Sequence, residues 1–250
     1  MKKLLFSLLF LSACATENPL KDMRFKTVSS GDYTMASWYK ITKPEQPVKI
    51  YIEGDGKAVD SKGQATSDPT PDSLFLRKIA ADDTSPNVVY MARPCQYLMG
   101  SNCSQKDWTT GRFSPKIIDA MTACVNSWKK KAKADKIILI GYSGGAMIAS
   151  QIAAKQPKSV QKLITVAGIL DKDKWSEYHK EEPLTDSLNL KIDKLKDISQ
   201  IHYVGAKDEI VPPEMTYDIL GKDNASVVVV KGATHQKGFD KIYKDIWKER

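Results

Sequence analysis

Nine consecutive residues, from Ile137 to Gly145, constrain the fold of this chain more than any other segment. Four apolar residues come first, three of them isoleucine, and they predict a buried β-strand. Gly141, Ser143 and Gly145 then match G-x-S-x-G, a sharp turn between a strand and a helix that presents a serine nucleophile. The small residues of 146–155 predict the helix that should follow. Because strand and helix both flank the turn, Ser143 is the candidate nucleophile; a glycine-rich turn without chemistry is the alternative.

The first residues have the pattern of a bacterial signal peptide. Lys2 and Lys3 make a positive start, and the apolar stretch 4–11 that follows is too short to span a membrane. We therefore expect residues 1–13 to be removed on export.

The end of this segment, residues 11–14, reads Leu-Ser-Ala-Cys and resembles a lipobox. In bacterial lipoprotein precursors, the signal peptide is cut just before the cysteine, which then carries the lipid. We therefore expect Cys14 to be lipidated and residues 14–30 to form a flexible tether. The protein would be anchored in the bacterial cell envelope, on the periplasmic face of the outer membrane or at the cell surface. The alternative is an ordinary secretory signal, with Cys14 free or discarded.

The remainder of the chain, residues 31–250, is long enough for a single domain with a sizeable core. The formal charge is +8, and the loss of Lys2 and Lys3 leaves +6. The lysines are scattered, as in 129–133, and form no basic stripe within a recognisable binding module. The charge therefore predicts a solvated surface and no nucleic-acid partner.

Three cysteines remain beside Cys14. Cys95 and Cys103 lie eight positions apart in a polar loop, which in an exported protein predicts a disulfide that closes a small loop. Cys124 lies in a predicted helix and is expected to be a free, buried thiol. Neither the cysteine spacing nor a nearby histidine supports a metal site, so no metal and no other cofactor is predicted.

Strand and helix signals alternate along the chain. The predicted strands span 33–42, 48–52, 87–91, 136–140, 160–166, 201–204 and 226–230. The predicted helices span 71–81, 115–133, 146–155, 212–220 and 237–249. The charged, irregular residues 171–197 predict a small insertion. This alternation predicts an α/β fold with a mostly parallel central sheet and helices on both faces.

With these elements the chain resembles the α/β-hydrolase family across residues 33–250. One basis is the turn at Ser143. Another is segment 205–212, Gly-Ala-Lys-Asp-Glu-Ile-Val-Pro, which is similar to the family's Gly-x-x-Asp-x-x-Val-Pro segment. The resemblance implies an α/β-hydrolase fold in one domain, residues 31–250, and catalytic residues in the order serine, acid, histidine.

The resemblance also implies which residues supply the acid and the base. Asp208 takes the place of the acid, which accepts a hydrogen bond from the imidazole and stabilises the imidazolium. The side chain of its neighbour Glu209 is expected to point elsewhere. His235 follows the last predicted strand, where the family has its histidine. His202 is expected to be packed within a strand, and His179 to be solvated in the insertion.

The oxyanion hole implied by the resemblance needs two backbone N–H groups. Gly144, directly after the nucleophile, supplies one. The loop 53–56, Glu-Gly-Asp-Gly, is similar to the family's His-Gly-x-Gly loop and makes Asp55 the second donor. A carboxylate near a developing oxyanion is unfavourable where the dielectric is low. Asp55 must therefore point its side chain away, or be held by a cation such as Arg93 or Lys57; an ordinary glycine-rich turn is the alternative.

Other contacts to a substrate follow from position. Tyr142 adjoins the nucleophile, and Arg93 follows a predicted strand, so the Cys95–Cys103 loop is expected at the rim of the site. Trp108 and Arg112 precede the helix at 115 and are expected to line the pocket. Core packing is the alternative for the aromatic side chains.

Taken with the resemblance, these residues predict a cell-envelope serine hydrolase that cleaves a carboxylic ester through an acyl-enzyme intermediate. Its partners would be a small acyl substrate and the membrane that holds the lipid on Cys14. A peptidase or a thioesterase on the same three residues is one alternative. A lipoprotein that keeps the fold as a non-catalytic binding module is another. No pattern in the chain predicts the oligomeric state.

Overall fold

The computed structural model describes residues 18–222, 224 and 226–249. The predicted signal peptide, Cys14 and the beginning of the predicted tether lie outside these residues. Within the described ranges, none of the helices combines the length and the apolar composition needed to cross a bilayer.

The described residues form one eight-stranded sheet with strand order β1-β2-β4-β3-β5-β6-β7-β8. The strands are β1 (Arg24–Ser30), β2 (Tyr33–Ile41), β3 (Val48–Ile52), β4 (Asn87–Met91), β5 (Ile137–Tyr142), β6 (Val160–Val166), β7 (Ser199–Gly205) and β8 (Val227–Val230). The helices are α1 (Phe75–Asp82), α2 (Pro115–Lys131), α3 (Gly144–Lys155), α4 (Lys172–His179), α5 (Pro213–Leu220) and α6 (Asp240–Lys248). The pairs β1–β2 and β2–β4 are antiparallel and the other pairs are parallel, which confirms the predicted fold class.

Helices cover both faces of the sheet because side chains alternate across each strand. In β5, Leu139 belongs to the core that includes α2 and α3, whereas Ile138 and Ile140 belong to the core that includes α1 and α6. Every residue of β3, β4 and β5 is buried, as expected for parallel strands covered on two sides. This burial makes the centre of the sheet a rigid base for the loops at its carboxyl end.

Strand β1 corrects one prediction. Residues 14–30 are predicted to be a tether, but Arg24–Ser30 pair antiparallel with β2. The strand forms the outer edge of the sheet and is mostly exposed, and all of its side chains except Phe25 and Val28 are polar. Such a composition does not distinguish an edge strand from a linker.

Two further boundaries differ from the sequence prediction. Helix α1 begins at Phe75 and not at 71, because the segment before it is a loop whose carbonyls at Pro71 and Ser73 accept hydrogen bonds from Arg77 Nη2. The insertion 171–197 is not irregular throughout, since it contains α4. The Asp171 carboxylate caps this helix by accepting hydrogen bonds from the first backbone N–H groups.

Candidate active site

The turn at Ser143 is strained and very tightly packed. Its backbone has φ 51° and ψ −123°, in the left-handed region, where a residue with a side chain costs about 1–3 kcal/mol. A Cβ atom on Gly141 would lie 2.5 Å from the Cα of Ala146, and one on Gly145 would overlap the carbonyl of Ile52. The two glycines of the motif therefore let α3 pack directly against the sheet while Ser143 sits at the sheet's carboxyl edge.

Three predicted side chains meet at this edge. Nε2 of His235 lies 3.0 Å from Oγ of Ser143, and Nδ1 of His235 lies 2.9 Å from Oδ2 of Asp208. Ser143 follows β5, Asp208 follows β7 and His235 follows β8. With its proton on Nδ1, the imidazole donates to the carboxylate and Nε2 is free to accept the serine proton.

Asp208 is held in place by its own turn. Its side chain has no exposed surface, and Oδ1 accepts hydrogen bonds of 2.9 Å from the N–H groups of Ile210 and Val211. The carbonyl of His235 accepts a 3.3 Å hydrogen bond from the Tyr142 hydroxyl. These contacts fix the carboxylate and the histidine loop relative to Ser143. Glu209, by contrast, is exposed.

The other two histidines have different environments. His202 is fully buried in β7, with Nδ1 2.9 Å from Oγ1 of Thr165, and burial lowers the pKa of His202 from 6.5 to about 4. His179 is predicted to be solvated, but it is half-buried. Its Nε2 lies 2.8 Å from the carbonyl of Ile210, because α4 folds back over the loop that holds the acid.

Two backbone N–H groups near Ser143 are unpaired within the described ranges. The N–H groups of Gly144 and Asp55 have no hydrogen-bond partner among the described residues. The loop 53–56 approaches the nucleophile closely, since a Cβ atom on Gly54 would lie 3.2 Å from Cβ of Ser143. Both N–H groups are thus without a partner in the described part of the protein, and they belong to the two residues that the resemblance assigns to the oxyanion hole.

The side chain of Asp55 lies against Gly144, where a Cβ atom would overlap its carboxylate. Arg93 Nη1 donates to Oδ1, and Nε of Arg112 lies 3.5 Å from Oδ2. Burial opposes the charged form, but the two arginines outweigh it and lower the pKa of Asp55 below its usual value. Lys57, the other predicted cation, pairs with Asp72 instead, at 3.0 Å.

The side chains of Glu53 and Gln96 hold the loop 53–56 by hydrogen bonds. Glu53 is buried, where it accepts hydrogen bonds from Gly54 N–H and from the Tyr90 hydroxyl, and burial raises its pKa. Gln96 donates to the Gly54 carbonyl at 2.9 Å and accepts from Arg93 N–H at 3.0 Å. Gln96 follows Cys95, whose predicted disulfide to Cys103 is present. The disulfide loop therefore supports the loop that carries Asp55.

A cavity of about 450 Å³ opens over Ser143. Tyr142 and Arg112 line it, as predicted from their positions, and Trp175 and His179 of α4 line it as well. The sequence analysis did not predict Trp175 and His179 as lining residues, because they lie in a charged insertion. The sequence signal that could have found them is Asp171, a helix-capping residue that precedes a short helix with an aromatic residue.

Two predicted substrate contacts are wrong. Arg93 is not among the residues that line this cavity, because it is buried behind Asp55 and bound to it. Trp108 does not line it either, because its ring packs into the core beside α2.

Comparison with known proteins fits this geometry. A model of the alpha/beta hydrolase fold family matches residues 58–188, which are 131 of the 250 residues. The chain belongs to the α/β-hydrolase family. No curated protein sequence is similar enough to this chain to add to that result.

Solved structures of other α/β-hydrolases superpose on most of the chain. A serine hydrolase homologue from Coxiella burnetii has a TM-score of 0.57 at 16% identity and covers 90% of this chain and 94% of its own. An esterase from Pyrococcus furiosus has a TM-score of 0.62 at 14% identity and covers 90% and 88%. A serine hydrolase without a lid, from Xanthomonas campestris, has a TM-score of 0.54 at 16% identity and covers 90% of both chains. At these identities the likeness shows the shared fold.

Chemically, this α/β-hydrolase site holds a serine hydroxyl and an oriented imidazole at one cavity. The described residues leave backbone N–H groups unpaired on Gly144, next to Ser143, and on Asp55, which lines the cavity. Such a set can attack a carbonyl carbon and hold the oxyanion that results. Among the described residues, no group of three histidine, cysteine, aspartate or glutamate side chains is placed to hold a metal ion.

Proposed function

We propose that this chain is a serine hydrolase that cleaves carboxylic esters, with Ser143 as nucleophile, His235 as base and Asp208 as acid. The observation that carries the proposal is the unbroken hydrogen-bonded series from Asp208 through His235 to Ser143, the last two of which line the cavity. The strained backbone of Ser143 supports it, since strain of this kind clusters at functional sites.

The reaction has two halves. As Ser143 Oγ attacks the acyl carbon, Nε2 of His235 takes the serine proton and then gives it to the leaving alcohol. The N–H groups of Gly144 and Asp55 hold the oxyanion, each contributing about 3 kcal/mol. Water, activated by His235, then attacks the acyl-enzyme and releases the acid and Ser143. A peptide or a thioester could undergo the same steps, so substrate panels must separate these classes.

One observation favours a second candidate, a binding protein without catalytic activity. The carboxylate of Asp55 lies against Gly144, where negative charge would oppose an oxyanion. The pairing of Asp55 with Arg93 and Arg112 favours the enzyme, because it neutralises that charge.

We also propose that lipid on Cys14 anchors the protein in the bacterial cell envelope. The support is the sequence of residues 1–14 alone. A Cys14→Ser variant should move from the membrane fraction to the soluble fraction and lose incorporation of labelled palmitate. Equal labelling of both proteins would contradict the anchor.

Reaction of the purified full chain with a fluorophosphonate probe tests the enzyme. We expect wild type to be labelled, and Ser143→Ala and His235→Ala to be unlabelled. Ser150→Ala is the matched control, because it removes a hydroxyl from the same helix that has no hydrogen-bond partner. If folded wild type stays unlabelled, the binding protein becomes the better proposal. If it is labelled, rates on matched ester, amide and thioester substrates identify the bond that is cleaved.

A further inference from the structure

Arg112 is a buried cation whose hydrogen bonds are not satisfied. Its side chain is only 3% exposed, yet it lines the cavity over Ser143. Nε and Nη2 are both buried and have no hydrogen-bond partner among the described residues. The contact of Nε with Oδ2 of Asp55, at 3.5 Å, is an ion pair too long for a good hydrogen bond. Buried, unsatisfied donors are rare and call for an explanation.

The neighbouring carboxylate is already used by another arginine. Arg93 Nη1 donates to Asp55 Oδ1, and Arg93 Nη2 donates to the carbonyl of Arg112 at 2.7 Å. Two buried guanidinium groups thus share one carboxylate. Glu53 acts on Arg93 by charge, and its oxygens accept hydrogen bonds from Gly54 N–H and the Tyr90 hydroxyl, not from Arg112. Arg112 is therefore left with buried N–H groups for which the described part of the protein supplies no acceptor.

The remaining acidic side chains of the cavity lie nearer to solvent. Asp72 is 79% exposed and pairs with Lys57. Glu181 is half-buried and makes no ion pair with a described residue. Neither is in contact with the guanidinium of Arg112.

The guanidinium is also held rigidly. Its central carbon lies 4.7 Å from the ring centre of Trp175 and 5.6 Å from that of Phe113. Stacking of this kind orients the plane of the guanidinium and leaves its N–H groups for a planar acceptor such as a carboxylate. A charged donor fixed in this way before binding loses little freedom when a ligand arrives.

We propose that Arg112 binds a carboxylate group of the substrate, so that this hydrolase prefers esters that carry a negative charge. The inference rests on the proposed ester hydrolysis and specifies its substrate class. The alternative is that Arg112 serves only as a structural counter-ion of Asp55.

Matched esters test the proposal on the full chain. One pair is the 4-nitrophenyl monoester of adipic acid and its adipamate, which differ by a carboxylate against an amide in the acyl chain. The second pair is the butyrate esters of 4-hydroxybenzoate and 4-hydroxybenzamide, which place the same difference on the leaving alcohol. We expect wild type to have the higher kcat/KM on the charged member of at least one pair.

Substitution assigns that preference to one residue. Arg112→Met should lower the charged-to-neutral ratio of kcat/KM by about 10- to 100-fold, the size expected for a charge-assisted hydrogen bond. Arg112→Lys keeps the charge but not the planar fork, so it should lose a smaller part of the ratio and serves if Arg112→Met does not fold. Arg24→Met is the matched control at an exposed position and should keep the ratio of wild type.

The outcomes separate the two proposals. The role of Arg112 would be overturned if wild type showed no preference for the charged esters. It would also be overturned if Arg112→Met lowered kcat/KM equally on both members of each pair. Either result would leave ester hydrolysis standing. If the fluorophosphonate probe fails to label wild type, hydrolysis fails instead. Calorimetric binding of the four esters to Ser143→Ala, with and without Arg112→Met, then decides whether Arg112 binds a carboxylate.

Discussion

Two aspartates flank Ser143, and their partners give them opposite properties. Asp208 is held by two backbone N–H groups and by the imidazole of His235, and it contacts no lysine or arginine among the described residues. Asp55 is held by two arginines. The charge of Asp208 is thus available to stabilise an imidazolium, whereas the charge of Asp55 is cancelled beside the place where an oxyanion would form. The same side chain serves either purpose according to its counter-ion.

The largest expected effect comes from removing the charge on the side of the base. Asp208→Asn keeps the shape of the side chain but offers the imidazole the wrong hydrogen-bonding partner, so the proton leaves Nδ1. We expect kcat to fall by about 10⁴-fold, the size of the same change in a serine protease. Steady-state hydrolysis of an activated ester measures it.

The matched control is Glu209→Gln, which neutralises the exposed carboxylate next in sequence. Its rate should equal that of wild type. A comparable loss in both variants would mean that the turn as a whole, and not the charge of Asp208, sustains activity.

On the oxyanion side, the expected effect is mainly on stability. Arg93→Met removes the buried cation that donates to Asp55 and leaves a buried carboxylate with one distant partner. We expect the free energy of unfolding to fall by about 3–5 kcal/mol, as for other buried pairs that lose one member. Urea denaturation followed by tryptophan fluorescence measures it.

A double-mutant cycle shows whether the loss belongs to this pair. The double variant Arg93→Met, Asp55→Asn should lose less free energy of unfolding than the two single variants lose together. The reason is that no unpaired charge of this pair remains in the double variant. Additive losses would show that Arg93 stabilises the fold through its other contacts. Arg24→Met, an exposed arginine, should change stability little.

The smallest expected effect is the pH dependence of stability that comes from the buried His202, which must be distinguished from the pH dependence of catalysis by His235. Burial lowers the pKa of His202 to about 4, so between about pH 6.5 and pH 4 the unfolded chain binds a proton that the folded chain does not. The free energy of unfolding should therefore fall by about 3 kcal/mol as the pH drops through this window. Above about pH 6.5 the contribution of His202 to stability is fully present.

The variant His202→Gln should flatten that part of the stability profile, and His179→Gln should leave it as in wild type. Unfolding midpoints at several pH values measure the slope. If His202→Gln keeps the slope of wild type, another group is responsible for the loss of stability in acid. A loss of hydrolysis rate at low pH can then be assigned to His235 only after that group is found.

Local patterns predicted the parts of the molecule that depend on local chemistry. The strands 48–52, 87–91 and 160–166 match the structure at both ends, because short segments rich in β-branched and aromatic residues and bounded by turn residues mark strands. The acidic turn is also local, since the carboxylate of Asp208 is held by N–H groups two and three residues away. Its meeting with His235 follows from the fold, because both come after neighbouring strands.

What the sequence could not predict depends on contacts between distant segments. The sequence offered Arg93 and Lys57 as alternative cations for Asp55, and only the fold shows that Arg93, 38 residues away, is the one that pairs with it. Trp108 and Trp175 are both aromatic residues in polar surroundings, yet the first packs into the core and the second lines the cavity. The edge strand at 24–30 was not predicted, because its mostly polar and exposed residues are equally typical of a linker.

The position of His235 after the edge strand β8 has a consequence for how activity is lost. This strand has only four residues, and Val228 and Val229 are 39% and 47% exposed, whereas β5, which leads to Ser143, is buried throughout. Short, exposed edges open locally at lower free energy than the core. We therefore expect hydrogen exchange in β8 to outpace that in β5, and heating to displace the base reversibly before the rest of the sheet unfolds. Thermal inactivation would then begin below the melting temperature of the core.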